Sequence, residues 1–426
     1  MRLHHLLLTG GIGPLLVKAR DLNFEFPYDA SSPVPFTISV DEKFMEETLT
    51  KVGLYRLSPD LKDDSNNQWN EGPPNKEMAW LKDEWVNNFS WKEVQDEING
   101  NFSHYAVTVQ GPPEFDHPVP LHFVHEKSAD PNAIPLLLLH GWPSTHLEWH
   151  KIIKPLSGSS PSDNITFHLV VPDIPGYGFS PAPEYSGFGP AQAGFVFDAL
   201  MQKLGYNKYG LVSTDLGWTA ATWMGDAVPD NIIAHFTDFF LMSPNSTDLE
   251  RFAQNQTTPE ENDFIQSIQI WFNTRFSYST VHEQEPLAIG QAMADSPVGF
   301  AGWVWQLKNS VSDGYNYTST ELITDSLLLW IQGPWGGIRS YKEFLKPSSF
   351  NFPKTSVPTA VSQWAINNID GLHSVNFVPR DWMARIVNVV KVFRHDAGGH
   401  FPAVNEPELW VQDVRQFFSG IINGSL

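Results

Sequence analysis

The run Leu211-Val212-Ser213-Thr214-Asp215-Leu216-Gly217-Trp218 joins an apolar strand to a helix read over residues 218–227. Between them is a tight turn with small residues, Ser213 and Gly217, two positions either side of Asp215. Such a turn holds its central residue in a strained conformation at the top of a sheet, so its flanks must be small. With a carboxylate at the centre, attack on carbon gives an ester as the first product. That chemistry opens an epoxide or displaces a halide and does not suit a peptidase or a lipase. The pattern small-x-Asp-x-small is common, and a solvated turn aspartate is its plain alternative, so the assignment rests on what accompanies it.

The second candidate is His400, in Gly398-Gly399-His400-Phe401-Pro402, where two glycines let a loop carry an imidazole back over a sheet. A nucleophile followed late in the chain by histidine is the order of an α/β-hydrolase fold. The elements needed to bring them together are legible. The continuous apolar run Ile134-Pro135-Leu136-Leu137-Leu138-Leu139 reads as a buried parallel strand. Further strands are predicted at 105–109, 121–124, 167–172, 210–212, 232–239, 357–361 and 389–393, alternating with helical stretches in the second half of the sheet. The expected architecture is α/β: a doubly wound, mostly parallel sheet with right-handed crossovers, an N-terminal meander and an inserted helical cap. The expected divisions are a leader at 1–34, the meander at 35–126, core at 127–247, the Trp-rich cap at 248–347 and core again at 348–426, closing on a helix over 408–421.

Together with His140-Gly141-Trp142-Pro143, Pro175-Gly176-Tyr177-Gly178-Phe179-Ser180, Asp295-Ser296-Pro297-Val298-Gly299 and the stretch from Ser90 to Asn99, these features resemble the microsomal-type epoxide hydrolases, an α/β-hydrolase family. The resemblance runs from about Pro35 to Phe418. It implies that Asp215 attacks an epoxide carbon and that His400 activates the water that hydrolyses the ester. It also implies that Tyr278 and Tyr341 protonate the epoxide oxygen, and that the N–H groups of Trp142 and Leu216 form the oxyanion hole. The expected reaction turns a small apolar epoxide and water into a vicinal diol, with no cofactor and no metal.

The chain departs from that family in two places. The family turn reads Gly-Gly-Asp-Trp-Gly, whereas Ser213, Thr214 and Leu216 stand here. Where the family carries the acid that orients the histidine, this chain has Asn367. Asp370 takes the role if the loop holds a small insertion; Asp238, after the next strand, takes it if the relay is swapped, and Asp238 is favoured. Two other readings compete: a haloalkane dehalogenase, disfavoured by Leu216 and the paired tyrosines, and a family member that binds an apolar ligand or opens an epoxide without water.

Composition sets the outer bounds. A chain of 426 residues with 41% hydrophobic content can bury a large core, and 13% aromatic content points to an aromatic-lined pocket. A net charge of −21 argues against nucleic-acid binding, and the lack of cysteine excludes disulfides and thiol catalysis. The histidines at 4, 5, 117, 122, 125, 146 and 150 lack metal-ligand spacing and read as structural or solvated. Residues 10–13 lack the context of a phosphate loop. An apolar leader ending near Ala19 and sequons at Asn88, Asn101, Asn164, Asn245, Asn255, Asn316 and Asn423 favour a secreted or lumenal glycoprotein over a cytoplasmic protein. The oligomeric state stays open, a homodimer among the options.

Overall fold

The computed structural model describes residues 22–63, 65, 69–158 and 165–426; residues 1–21 of the leader, with His4, His5 and residues 10–13, and the sequon at Asn164 lie outside them. Nine strands form one sheet: β1 Val34–Pro35, β2 His104–Gln110, β3 Pro118–Glu126, β4 Ile134–Leu139, β5 Phe167–Pro172, β6 Tyr209–Ser213, β7 Ile232–Thr237, β8 Pro358–Trp364 and β9 Asn388–His395. Their order is β1-β2-β3-β5-β4-β6-β7-β8-β9. The pairings among β1, β2, β3 and β5 are antiparallel, and those from β5 through β4 to β9 are parallel. This is the expected doubly wound sheet.

The unbroken apolar run of β4 follows from burial on both faces. Leu137 and Leu139 point into one hydrophobic cluster, Leu136 and Leu138 into the other, and Leu211 and Val212 of β6 divide in the same way. Helix Pro190–Lys203 packs on helix Asp215–Ala227 over the first face, while the closing helix Pro407–Asn423 sends Trp410, Val414, Phe417 and Phe418 into the second. Between β1 and β2 lie helices Glu42–Leu54, Asn75–Asn87 and Trp91–Asn101. Between β7 and β8, the helical segment runs from Ser246 to Phe344. Its helix Pro297–Val311 begins at the Asp295–Gly299 motif, where the Ser296 hydroxyl accepts from the Gly299 N–H.

Candidate active site

Asp215 stands where β6 ends and is the first residue of helix Asp215–Ala227, three positions earlier than the sequence pattern suggests. Its φ of +44° is the strained left-handed geometry expected of a residue lifted out of a strand–helix turn. Two glycines make room for it. A Cβ on Gly141 would lie 2.2 Å from Asp215 Oδ1, and one on Gly217 would lie 2.3 Å from the Leu139 carbonyl oxygen of β4. Ser213, where the family has glycine, turns its hydroxyl down to His235 Nε2 at 2.7 Å, so the departure is absorbed beneath the turn.

The Trp142 N–H donates to Asp215 Oδ1 at 2.9 Å, and the Leu216 N–H also bonds the carboxylate. Both expected oxyanion donors therefore meet at the Asp215 carboxyl. Burial nevertheless raises that group to about 6, the two N–H groups only partly offsetting it.

His400 Nε2 lies 3.7 Å from Asp215 Oδ2, beside it but not hydrogen-bonded to it. Its loop is stapled from three sides. Val311 accepts from the His400 N–H (2.7 Å), Ala365 from the Gly399 N–H (3.0 Å) and Asp313 Oδ2 from the Gly398 N–H (2.9 Å). The Asn405 amide donates to the carbonyls of Gly398 (2.7 Å) and Ser312 (2.9 Å). Gly398 and Gly399, at φ +117° and +68°, supply the backbone freedom this requires. Burial, and then the nearby Lys308 cation, push the imidazole down to about 4, so it is neutral and able to accept a proton at neutral pH.

Tyr278 and Tyr341 come from the helical segment and line the same cavity as Asp215, Leu216, Trp142 and His400. Their rings meet edge to face with centroids 5.8 Å apart, and the Trp142 ring stacks on Tyr278 at 5.5 Å. Burial raises both phenols above the ordinary tyrosine range, which keeps their protons in place. The remaining walls are almost wholly apolar, with Phe239, Phe264, Trp271, Leu307 and Val375 among them. Sequence reasoning missed His282, one helical turn after Tyr278, which packs against Trp142 and Tyr341 and accepts from Trp303 Nε1 at 3.0 Å. Asp313 and Asn405, which fix the histidine loop, were also missed, because nothing in their spacing points to a loop a long way off in the chain.

The two acids proposed for the relay fare differently. Asp370 is exposed and does not line the cavity, so the structure does not bring it to the site. Asp238 is buried after β7, where its N–H reaches the Ser213 carbonyl at 3.4 Å and its Oδ2 accepts from Trp410 Nε1 at 2.7 Å. Burial raises it to about 7, and Asp215 adds to that shift. Among the described residues, Asp215 alone brings a carboxylate within 4 Å of His400. Asn367 instead donates to Asp313 and to the Asp396 carbonyl, bracing the loop.

Several of the histidines left without a role form a buried network. His122 and His146 direct Nδ1 at Asp173 at 2.7 and 2.9 Å, and His104 Nδ1 meets His122 Nε2 at 2.9 Å. Asp173 also accepts from the N–H groups of His146 and Phe179. A cation between these three side chains would have to displace those hydrogen bonds.

Known proteins resemble this chain over most of its length. Residues 33–149 match the model described as the epoxide hydrolase N terminus, and residues 134–275 match that of the alpha/beta hydrolase fold. Epoxide hydrolase 1 of Sus scrofa is 27% identical, the match covering 90% of this chain and 88% of that one. The juvenile hormone epoxide hydrolase of Bombyx mori is 26% identical, with 89% and 85% covered. Among solved structures, the Aspergillus niger epoxide hydrolase superposes with a TM-score of 0.78 at 23% identity, covering 94% of this chain and all of that one (100%). The silkworm juvenile hormone enzyme gives 0.74 at 23%, covering 92% and 95%.

Proposed function

Since the chain belongs to the microsomal-type epoxide hydrolases of the α/β-hydrolase superfamily, we propose that it converts an apolar epoxide to a vicinal diol through an ester on Asp215. The observation that carries this reading is the meeting of four side chains in one apolar cavity: a buried carboxylate, a neutral imidazole 3.7 Å away and two protonated phenols. Asp215 attacks an epoxide carbon, the C–O bond breaks, and a proton from Tyr278 or Tyr341 quenches the departing oxygen. Water then adds to the ester carbonyl as His400 takes its proton, the N–H groups of Trp142 and Leu216 hold the oxyanion, and the diol leaves. The paired phenols suit an epoxide oxygen and not a halide. Burial and coupling to Asp215 favour Asp238 over exposed Asp370 as the acid that steadies the imidazolium.

The test is intact mass after acid quench of the His400→Gln variant with aryl and alkyl epoxides. An adduct of one epoxide mass on the Asp215 peptide, absent from Asp215→Asn, is the expected result. Folded His400→Gln protein that takes up no epoxide, with an equally inert wild type, would instead favour a ligand-binding role.

We place the enzyme on the secretory route. All six sequon asparagines among the described residues are exposed, and none of the described helices is long and apolar enough to cross a membrane. Expression in a secreting eukaryotic host should give a mass that falls on glycosidase treatment; an unmodified chain retained in the cell would refute the placement.

A further inference from the structure

Behind the histidine loop lies a second cavity of ≈ 280 Å³, walled by Ser144, Glu148, Lys308, Tyr317, Thr324 and Phe401. Phe401 directly follows His400, so a single loop separates this space from the catalytic cavity. Glu148 sits in the short turn His146–Trp149 that follows the Trp142 segment. It is only 4% exposed, yet among the described residues neither carboxyl oxygen meets a partner in hydrogen-bond geometry; the Ser144 side chain lies alongside. Lys308 does not neutralise it directly. That ammonium bonds Asp325 at 2.7 Å and lies over the rings of Tyr317 and Phe401. The charges of Asp238 and Asp215 both act on Glu148, so it lies within electrostatic reach of the nucleophile turn. The Thr324 hydroxyl, which also lines this cavity, is buried and without a partner among the described residues.

A buried carboxyl without partners is costly, about 1–3 kcal/mol or more for the unmade hydrogen bonds alone. Water meets that need where a site is polar and roomy, and a space of ≈ 280 Å³ exceeds what one molecule requires. The reaction needs water at a definite moment. Once the ester has formed, its organic group fills the apolar cavity in front of Asp215, so water from behind has the open approach.

We propose that Glu148 is a positioning residue for ester hydrolysis, holding water that enters from the rear cavity against the nucleophile turn. This inference rests on the covalent-ester reading. The water oxygen bonds to the Asp215 carbonyl carbon while its proton passes to His400 Nε2. The alkyl oxygen then leaves that carbon and takes the proton from His400, and the proton left on the carboxyl returns to the tyrosine deprotonated in ring opening, so the carboxylate is restored. Glu148 exchanges no proton in this sequence; it supplies hydrogen-bond acceptors.

Rapid-quench mass spectrometry with styrene oxide separates the two steps. In Glu148→Met, which keeps side-chain length and removes the acceptors, the adduct should form within about twofold of the wild-type rate and decay roughly 10- to 100-fold more slowly, the scale of outer-sphere changes. Glu148→Gln, still able to bond water, should restore most of the decay rate. A merely structural role would slow both steps together, and that result, or wild-type decay in Glu148→Met, overturns the proposal. If methionine does not pack, Glu148→Leu carries the same test. A wild type that never forms an adduct sinks the ester reading itself, a result distinct from unchanged decay.

Discussion

One physical cause, burial, tunes Asp215 and His400 in opposite directions, and the proposed reaction needs both shifts to stay moderate. On the proposed mechanism the aspartate must be ionised to attack, and burial raises it to about 6. The rate of ester formation should therefore rise about tenfold per pH unit below 6 and level off above it. A basic limb belongs above the usual tyrosine range, because burial raises Tyr278 and Tyr341. Adduct burst rates from about pH 5 to 10 check this; a profile already flat above pH 5 would mean Asp215 titrates as an ordinary carboxylate. At this scale the sequence was most informative where chemistry is local. Asp215 stood out as a candidate through its small flanks and His400 through its glycines, whereas the two tyrosines became candidates only through a family pattern. The acid partner of His400 was not legible, because it depends on how far Asp238 and the loop after β8 lie from a side chain 30 or more residues away, which spacing does not encode.

The strands and helices matter chiefly as mounts with little slack. Helix Asp215–Ala227 can start at Asp215 because Gly217 lets the first turn sit on the Leu139 carbonyl. In Gly217→Ala the added carbon meets backbone, which cannot rotate away. The change should destabilise the fold by about 1–3 kcal/mol and lower ester formation by shifting Asp215. A denaturant midpoint equal to that of wild type would show that the turn has room. The histidine loop predicts a contrasting result. Asn405→Ala leaves the carbonyls of Gly398 and Ser312 without that donor, so ester hydrolysis should slow more than ester formation. The strands themselves were readable because burial on both faces makes parallel strands continuously apolar. The start of the nucleophile helix was not, because Asp215, Leu216 and Gly217 are poor helix signals and only the close packing on β4 places them in the helix.

Across the whole molecule, histidines are buried as neutral groups. Burial holds His104 at about 2, His235 and His282 at about 3, and His125, His140 and His400 at about 4. In the unfolded chain each titrates near the ordinary value of about 6.5. As pH falls below that value, the unfolded state binds protons that the folded state refuses, so stability is full above about 6.5 and is lost toward the folded values, by at most roughly 2 kcal/mol per histidine at pH 5. Three carboxyls act the other way. Asp215, Asp238 and Glu148 are raised by burial and gain protons in the folded state while the unfolded chain still has them ionised. Six histidines against three acids leave a net loss on acidification. The formal charge of −21 complicates the sum, because adding protons relieves repulsion across an acidic surface. That contribution is screened by salt and the buried one is not. Urea midpoints taken at roughly 0.3 M salt, where the Debye length is well under 10 Å, should therefore be lower at pH 5 than at pH 7.5. An equal or higher midpoint at pH 5 would mean that the buried histidines accept protons without unfolding, and that the network around Asp173 holds charge the geometry does not suggest.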